Sequence, residues 1–185
     1  TNAGKSSLFN HLTGAGVLSI DMLFATLDPT MREVTLTSGR RAILADTVGF
    51  ISQLPTELIE AFKSTLEEVV HADLLLHVHD ASSKFVSEDA DDVVAVLNDL
   101  GLDELRQQQC VMHVFNKADL LEDDDQRLWL DKKYDGGVFT SARLGTGVDN
   151  LLQAIDEYLA QDSVQAVVEI KPEDGAARAW LYEHA

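Results

Sequence analysis

Gly4-Lys5-Ser6-Ser7 sets a glycine, a cation and two hydroxyls in consecutive positions at the start of an amphipathic stretch. Backbone N–H groups of a tight glycine turn entering a helix form a concave donor cluster for anionic oxygens. In that setting Lys5 would carry its ammonium to the outer phosphates of a nucleotide, and the Ser6 hydroxyl would help hold a magnesium ion bridging them. The full pattern is Gly, four free residues, then Gly-Lys-Ser/Thr. Thr1, Asn2 and Ala3 fill three of the free positions, so the first glycine falls upstream of Thr1. With no initiator Met and a start inside a motif, the chain is expected to be a fragment of something longer. Taken alone, Gly-Lys-Ser is equally compatible with a capped surface helix.

Three later stretches bear on the same chemistry: Asp46-Thr47-Val48-Gly49, Asn116-Lys117-Ala118-Asp119 and Ser141-Ala142. The elements around them explain why they could meet. Residues 6–13 show helical spacing of Leu8, Phe9 and Leu12. Residues 17–30 have no clean period and form a loop carrying Thr26. Residues 31–36 and 41–46 are strand-like runs joined by Thr37-Ser38-Gly39-Arg40, which predicts a hairpin ending on Asp46. A helix over 58–72 follows Pro55. Residues 74–80 and 111–115 are short, nearly continuous apolar runs, the pattern of central parallel strands. Residues 87–100 form an amphipathic helix with Ser87 as its N-cap and Gly101 at its stop. Residues 138–140 give a short strand, and 149–159 a helix. Alternating buried strands and amphipathic helices predict an α/β layered fold with a mostly parallel sheet, in which ligands bind at the C-terminal strand ends. The Lys5, Asp46, Asn116 and Ser141 loops all fall there, in the order a nucleoside triphosphatase needs.

Composition sets bounds on function. At 185 residues, about 70% of the unfolded surface can be buried, so one real core is possible. With 45% hydrophobic and 25% charged residues, disorder is excluded as the general state. The net charge of −18 repels phosphate backbones and anionic lipid, so this segment has no direct grip on RNA or membrane by charge. Cys110 is the single cysteine and precedes an apolar run, which reads as a buried thiol in a reducing, cytoplasmic setting. No stretch is long and apolar enough to span a bilayer. His77 and His79 read as core or strand-end residues rather than metal ligands. The acidic run 122–125 reads as the solvated start of a helix rather than a metal site. Residues 164–170 and 176–184 read as a strand and a helix opening a further unit, with Trp180 a core or docking residue.

Together, Gly4-Lys5-Ser6, Thr26, Asp46-Thr47-Val48-Gly49, Asn116-Lys117-Ala118-Asp119 and Ser141-Ala142 resemble the ordered signature of P-loop GTPases. The runs over 23–32 and 46–55, with the helix over 58–72, resemble the HflX family of ribosome-associated GTPases across nearly all of residues 1–160. That resemblance implies a Ras-like three-layer G domain over 1–160 lacking its first strand, with 161–185 beginning a C-terminal extension. It implies GTP and GDP as ligands and GTP hydrolysis, with Lys5, Thr26 and Gly49 acting on the phosphates. Asn2, Ala3, Gly4, Lys5, Ser6 and Ser7 would cradle the phosphates. Ser6, Thr26 and Asp46 would serve Mg2+, the last usually through water, and the Gly49 amide would meet the γ-phosphate. Asn116 would lie near the O6/N7 edge of guanine, Lys117 would pack over the ring, and the Ala142 amide, following Ser141, would reach O6. Asp119 would accept from N1–H and the exocyclic amine, a donor pair that adenine lacks. The family further implies action on the large ribosomal subunit, in splitting or rescue, with an N-terminal domain making much of the rRNA contact.

The chain departs from the Ras pattern at Phe50, where a water-positioning glutamine would stand. Slow intrinsic hydrolysis awaiting a partner is the expectation. Asn2 occupies the place where some related GTPases help bind K+, and it could equally serve only the turn. Competing readings are a tRNA-modifying, ribosome-assembly or membrane-transport GTPase, and an interaction module that binds no nucleotide. With the upstream strand and glycine outside the chain, weak GTP affinity and low stability are expected.

Overall fold

The computed structural model of the chain describes residues 2–14, 30–47, 69–161, 170 and 175–184. The expectations for the Thr26 loop, for Gly49 and Phe50, for most of the helix over 58–72 and for nearly all of the strand over 164–170 lie outside the described residues.

The two runs flanking Gly39 pair as predicted. β1 (Thr30–Thr35) and β2 (Arg41–Asp46) are antiparallel, with Thr35 opposite Arg41 and Thr30 opposite Asp46. Gly39, at φ +85°, supplies the left-handed residue the connection needs. β3 (Leu75–Asp80), β4 (Val111–Asn116) and β5 (Val138–Phe139) form a parallel sheet in that order. Their register runs from Leu75 opposite Val111 to Asp80 opposite Asn116, which delivers both polar residues together at one strand edge.

Because side chains alternate across a strand, the sheet has two distinct faces. Leu76, Val78, Met112 and Val114 face a core shared with α1 (Lys5–Thr13), the hairpin and α5 (Val148–Ala160). Leu8 and Leu151, at 2% and 0% exposure, anchor that core. Truncating a side chain so placed costs about 2–5 kcal/mol. On the other face, Leu75 and Val111 pack with α2 (Val86–Asp99) and α3 (Glu104–Cys110) around Leu97, Leu102 and Cys110. Phe115, Leu130 and Ala81 form a second cluster there, under α4 (Asp124–Lys133). Cys110 is buried, as its apolar setting predicts. His77, His79 and His113 lie on this same face. Burial pulls His77 down to about 3 and His79 to about 2, with the neighbouring histidines adding to both shifts, so the rings are neutral.

Sequence and structure part at several points. Ser87 is not an N-cap: the cap of α2 lies two residues earlier, at Phe85, whose N–H donates to the Ser83 hydroxyl at 3.1 Å. Ser87 instead accepts from Lys133 Nζ at 2.6 Å. The acidic run opens α4 as expected, with Asp123 accepting from the Asp125 N–H at 2.9 Å and Lys132 and Lys133 in the last turn, favourable ends for the helix dipole. α6 (Gly175–His184) carries Trp180, which is 59% exposed. Among the described residues no helix is long and apolar enough to cross a membrane.

The described strands form two sheets, β1-β2 and β3-β4-β5, rather than one. A cavity of about 240 Å³ is lined from both, by Leu44 and Asp46 of β2, Leu76 and Val78 of β3, and Lys5 and Leu8 of α1.

Candidate functional site

Gly4 is required twice over. Its φ of +83° is left-handed, and a Cβ there would run into Asn116 Nδ2. That close approach exists because Asn116 Nδ2 donates to the Ala3 carbonyl at 2.8 Å. The other end of the same carboxamide, Oδ1, accepts from the Ala142 N–H at 2.9 Å and from the Thr140 hydroxyl at 3.3 Å. Asn116 is only 1% exposed. Parallel strands place it there: β4 ends at Asn116 and β5 ends just before Thr140, so one buried side chain ties the Lys5 loop to the Ser141 loop. Its side chain is thereby spent on protein groups, a bracing role that its motif position did not announce.

Asp119 stands one turn further on, in a 3₁₀ segment entered through Lys117 at φ +61°. Its Oδ1 accepts from the Ser141 hydroxyl at 2.6 Å, and its Oδ2 from the Arg143 guanidinium at 2.8 Å. The Ser141 hydrogen bond does most to hold the Asp119 carboxyl below the usual range, against burial and with smaller help from Arg143. Lys117 reaches Asp80 at 2.7 Å, at the paired ends of β3 and β4. Burial pushes the Asp80 carboxyl up, but hydrogen bonds from Lys117 and Ser82, with the Lys117 charge, bring it below its ordinary value.

On the other flank, Lys5 and Asp46 line the cavity between the sheets. Burial lowers the Lys5 ammonium from the usual lysine range, and the Asp46 charge opposes that only in part. Asp46 is itself 7% exposed. Ser6 and Ser7 begin α1, and Asn2, at φ +60°, is exposed ahead of it. A hydroxyl at Ser6 and a carboxylate at Asp46 are hard oxygen donors of the kind Mg2+ takes. Thr26 and Gly49 are outside the described residues.

Two site neighbours went unread in the sequence. Arg143 covers Asp119, and the only sequence signal was its place directly after Ser141-Ala142. Asp156, 6% exposed on α5, holds the hairpin turn by accepting from the Thr37 hydroxyl at 2.6 Å and the Ser38 hydroxyl at 2.7 Å. It thereby fixes the hairpin that carries Asp46.

A family model described as 50S ribosome-binding GTPase matches residues 1–126. The GTPase HflX of Escherichia coli (strain K12) is 42% identical over 184 residues, covering 99% of the chain and 42% of that protein. The GTPase HflX of Caldanaerobacter subterraneus subsp. tengcongensis is 49% identical over 163 residues, covering 88% of the chain and 36% of that protein. The chain thus spans 42% and 36% of the length of these two relatives. A GTP-binding protein from the hyperthermophilic archaeon Sulfolobus solfataricus, solved in complex with GDP, is similar with a TM-score of 0.66 and 28% identity, over 88% of the chain and 51% of that one.

Proposed function

The chain belongs to the family of 50S ribosome-binding GTPases and is a G domain of the HflX type; from that premise we propose that it binds GTP and GDP and hydrolyses GTP, within a longer protein acting on the large ribosomal subunit. The observation that carries this reading is the Asn116 brace, which brings the Gly4-Lys5 loop, the Asp119 carboxylate and the Ser141-Ala142 loop to one edge of a parallel sheet. A phosphate site and an acceptor carboxylate at that edge suit a nucleotide whose base presents paired donors, which selects guanine over adenine.

In this reading residues 1–160 are the G domain and 161–185 open a C-terminal extension. Lys5 meets the outer phosphates, the amides from Asn2 to Ser7 cradle them, and Ser6 and Asp46 hold Mg2+, which when bound neutralises charge developing on the transferred phosphoryl group. Thr26 and Gly49 belong to the same proposal by motif. For K+, the exposed Asn2 offers one oxygen donor, and one donor does not make a cation site. The cavity between β2 and β3 takes a parallel strand leading into the phosphate loop, which would join the two sheets into one. Phe50 cannot hydrogen-bond a water, so turnover waits on a partner, the large ribosomal subunit, in the splitting or rescue of ribosomes. Cytoplasmic placement follows from that partner.

Calorimetric titration with GDP, GTP and ADP tests the reading, on this chain and on one extended upstream through the first glycine. The expected result is guanine preferred over adenine by about 100-fold or more, since hydrogen bonds to a charged group are worth about 1.5–3 kcal/mol each. The extended chain is expected to bind more tightly. Equal affinity for GDP and ADP in the extended chain would refute the guanine assignment, and tight GDP binding by the shorter chain would refute the need for the strand.

A further inference from the structure

We propose that His77, His79 and His113 form a half-buried binding site for a divalent transition-metal ion of the zinc class, on the sheet face away from α1 and separate from the magnesium site. His77 and His79 are two apart on β3 and so share a face, and His113 on β4 lies directly opposite His77 in the register. Three imidazoles therefore converge on one spot, with one ligand nitrogen from each within 4.8 Å of the others.

The hydrogen bonding among them is incomplete as it stands. His79 Nε2 and His113 Nδ1 face each other at 2.9 Å and share one hydrogen bond, whereas His77 Nδ1 is buried with no partner among the described residues. A buried imidazole nitrogen left without a partner costs free energy that a well-packed apolar residue would not. A metal ion would satisfy all three nitrogens at once. Zinc holds imidazole nitrogens at about 2.0–2.1 Å, which in a tetrahedron sets them about 3.4 Å apart. The three ligand nitrogens lie within 4.8 Å of one another, so a small adjustment of the rings reaches that spacing.

The surroundings are those of a built site. His79 stacks on Phe115 with centroids 5.0 Å apart, and His113 packs on the Tyr134 ring at 4.7 Å. The His77 and His79 rings lie tilted against each other, with centroids 3.9 Å apart. Aromatic neighbours hold the ring orientations, as the apolar shell of a metal site does. Imidazole donors without carboxylate select zinc, copper, nickel or cobalt over magnesium and calcium. Three protein nitrogens leave a fourth position for water or a small ligand. The strands that carry the site run directly into Asp80 and Asn116, so an ion here would stiffen the base of the loop bearing Lys117 and Asp119.

The test is titration of the full chain with zinc chloride, and with Co2+ as an optical probe, in millimolar Mg2+ so that surface carboxylates are saturated. The expected result is one equivalent bound, the intense visible absorption of four-coordinate Co2+, and a higher thermal midpoint. His113→Asn is expected to weaken binding at least 100-fold, and His77→Asn similarly. Binding unchanged in both variants would place the ion on the acidic surface and overturn the proposal, as would the absence of stoichiometric binding. If the variants do not fold, imidazole ¹⁵N spectra of the unmodified chain decide: three ring nitrogens must shift with one equivalent of zinc, and unmoved resonances refute the site.

Discussion

At the end of β4, every polar atom of the Asn116 carboxamide is engaged, and Asp119 next to it is pinned by Ser141 and Arg143. At the end of β2, by contrast, Asp46 shares with Lys5 a cavity open between two separate sheets. The first region is organised by side chains within residues 116–143 and so folds with the three-stranded sheet. The second depends on how the hairpin and α1 sit against that sheet, which among the described residues Asp156, a shared apolar core and the Asn116 bond to the Ala3 carbonyl secure. On the proposed reading, a site with one prearranged half and one half resting on the packing of the hairpin and α1 separates specificity from affinity. The Asn116 half would then decide which base is accepted, and the Lys5 half how tightly its phosphates are held.

The largest break in that comparison is Asn116→Ala. It strands the Ala142 N–H, the Thr140 hydroxyl and the Ala3 carbonyl in a spot that is 1% exposed. At about 1–3 kcal/mol for each unsatisfied buried group, the loss reaches about 3 kcal/mol or more. The thermal midpoint should fall by roughly 6–12 °C for a chain of this size, and GDP affinity by about 100-fold. A midpoint within a degree of the parent would mean the brace holds nothing together.

Lys5→Met works in the opposite sense. Burial lowers the Lys5 pKa in the fold, so the unfolded chain binds the proton more tightly; below the folded value the charged ammonium disfavours folding, and stability rises with pH through that value toward the ordinary lysine range. A methionine of similar shape removes that penalty. The variant should melt at a higher temperature and lose most nucleotide affinity, on the order of 100-fold for a charged contact. Stability and binding then move apart on the Lys5 side, whereas Asn116→Ala lowers both. A fall in melting temperature would show that Asp46 more than offsets the burial of Lys5.

This contrast also explains what the sequence could and could not disclose. Residues 74–80 and 111–115 were legible as strands because burial on both faces forces continuous apolar residues, and the loops they feed carry local motifs. α3 was not legible: only Gln107 and Cys110 of its residues are buried and Leu105 is exposed, so no apolar stripe marks it. Its one local signal was Asp103, whose carboxylate accepts from the Arg106 N–H at 2.9 Å. Ser87 misled because a serine ahead of an amphipathic stretch is a good cap, but Val86 is needed in the Phe115 cluster and draws the cap back two residues. Asp156 and Thr37 are 119 positions apart, and no local pattern encodes such a pairing.

Arg143→Ala should have the smallest effect, and it sharpens how far the Asn116 half is prearranged. The guanidinium is 72% exposed and its pair with Asp119 is therefore worth about 0–1 kcal/mol. Yet it donates to Oδ2 of the carboxylate that guanine would need for its own two donors. Removing it should leave the fold unchanged and tighten GDP binding by no more than about fivefold, since that is the reach of a weak exposed pair. The pH dependence separates the two partners of Asp119. On the proposed reading binding needs the carboxylate ionised, so it should fail as pH falls through the folded Asp119 value, which lies below the ordinary range chiefly through the Ser141 hydrogen bond. The acid limit of GDP binding should therefore move up only slightly in Arg143→Ala and clearly more in Ser141→Ala. If the arginine variant instead lost affinity at neutral pH, Arg143 would be organising the carboxylate rather than competing for it, and the base-selecting half would extend to the exposed rim.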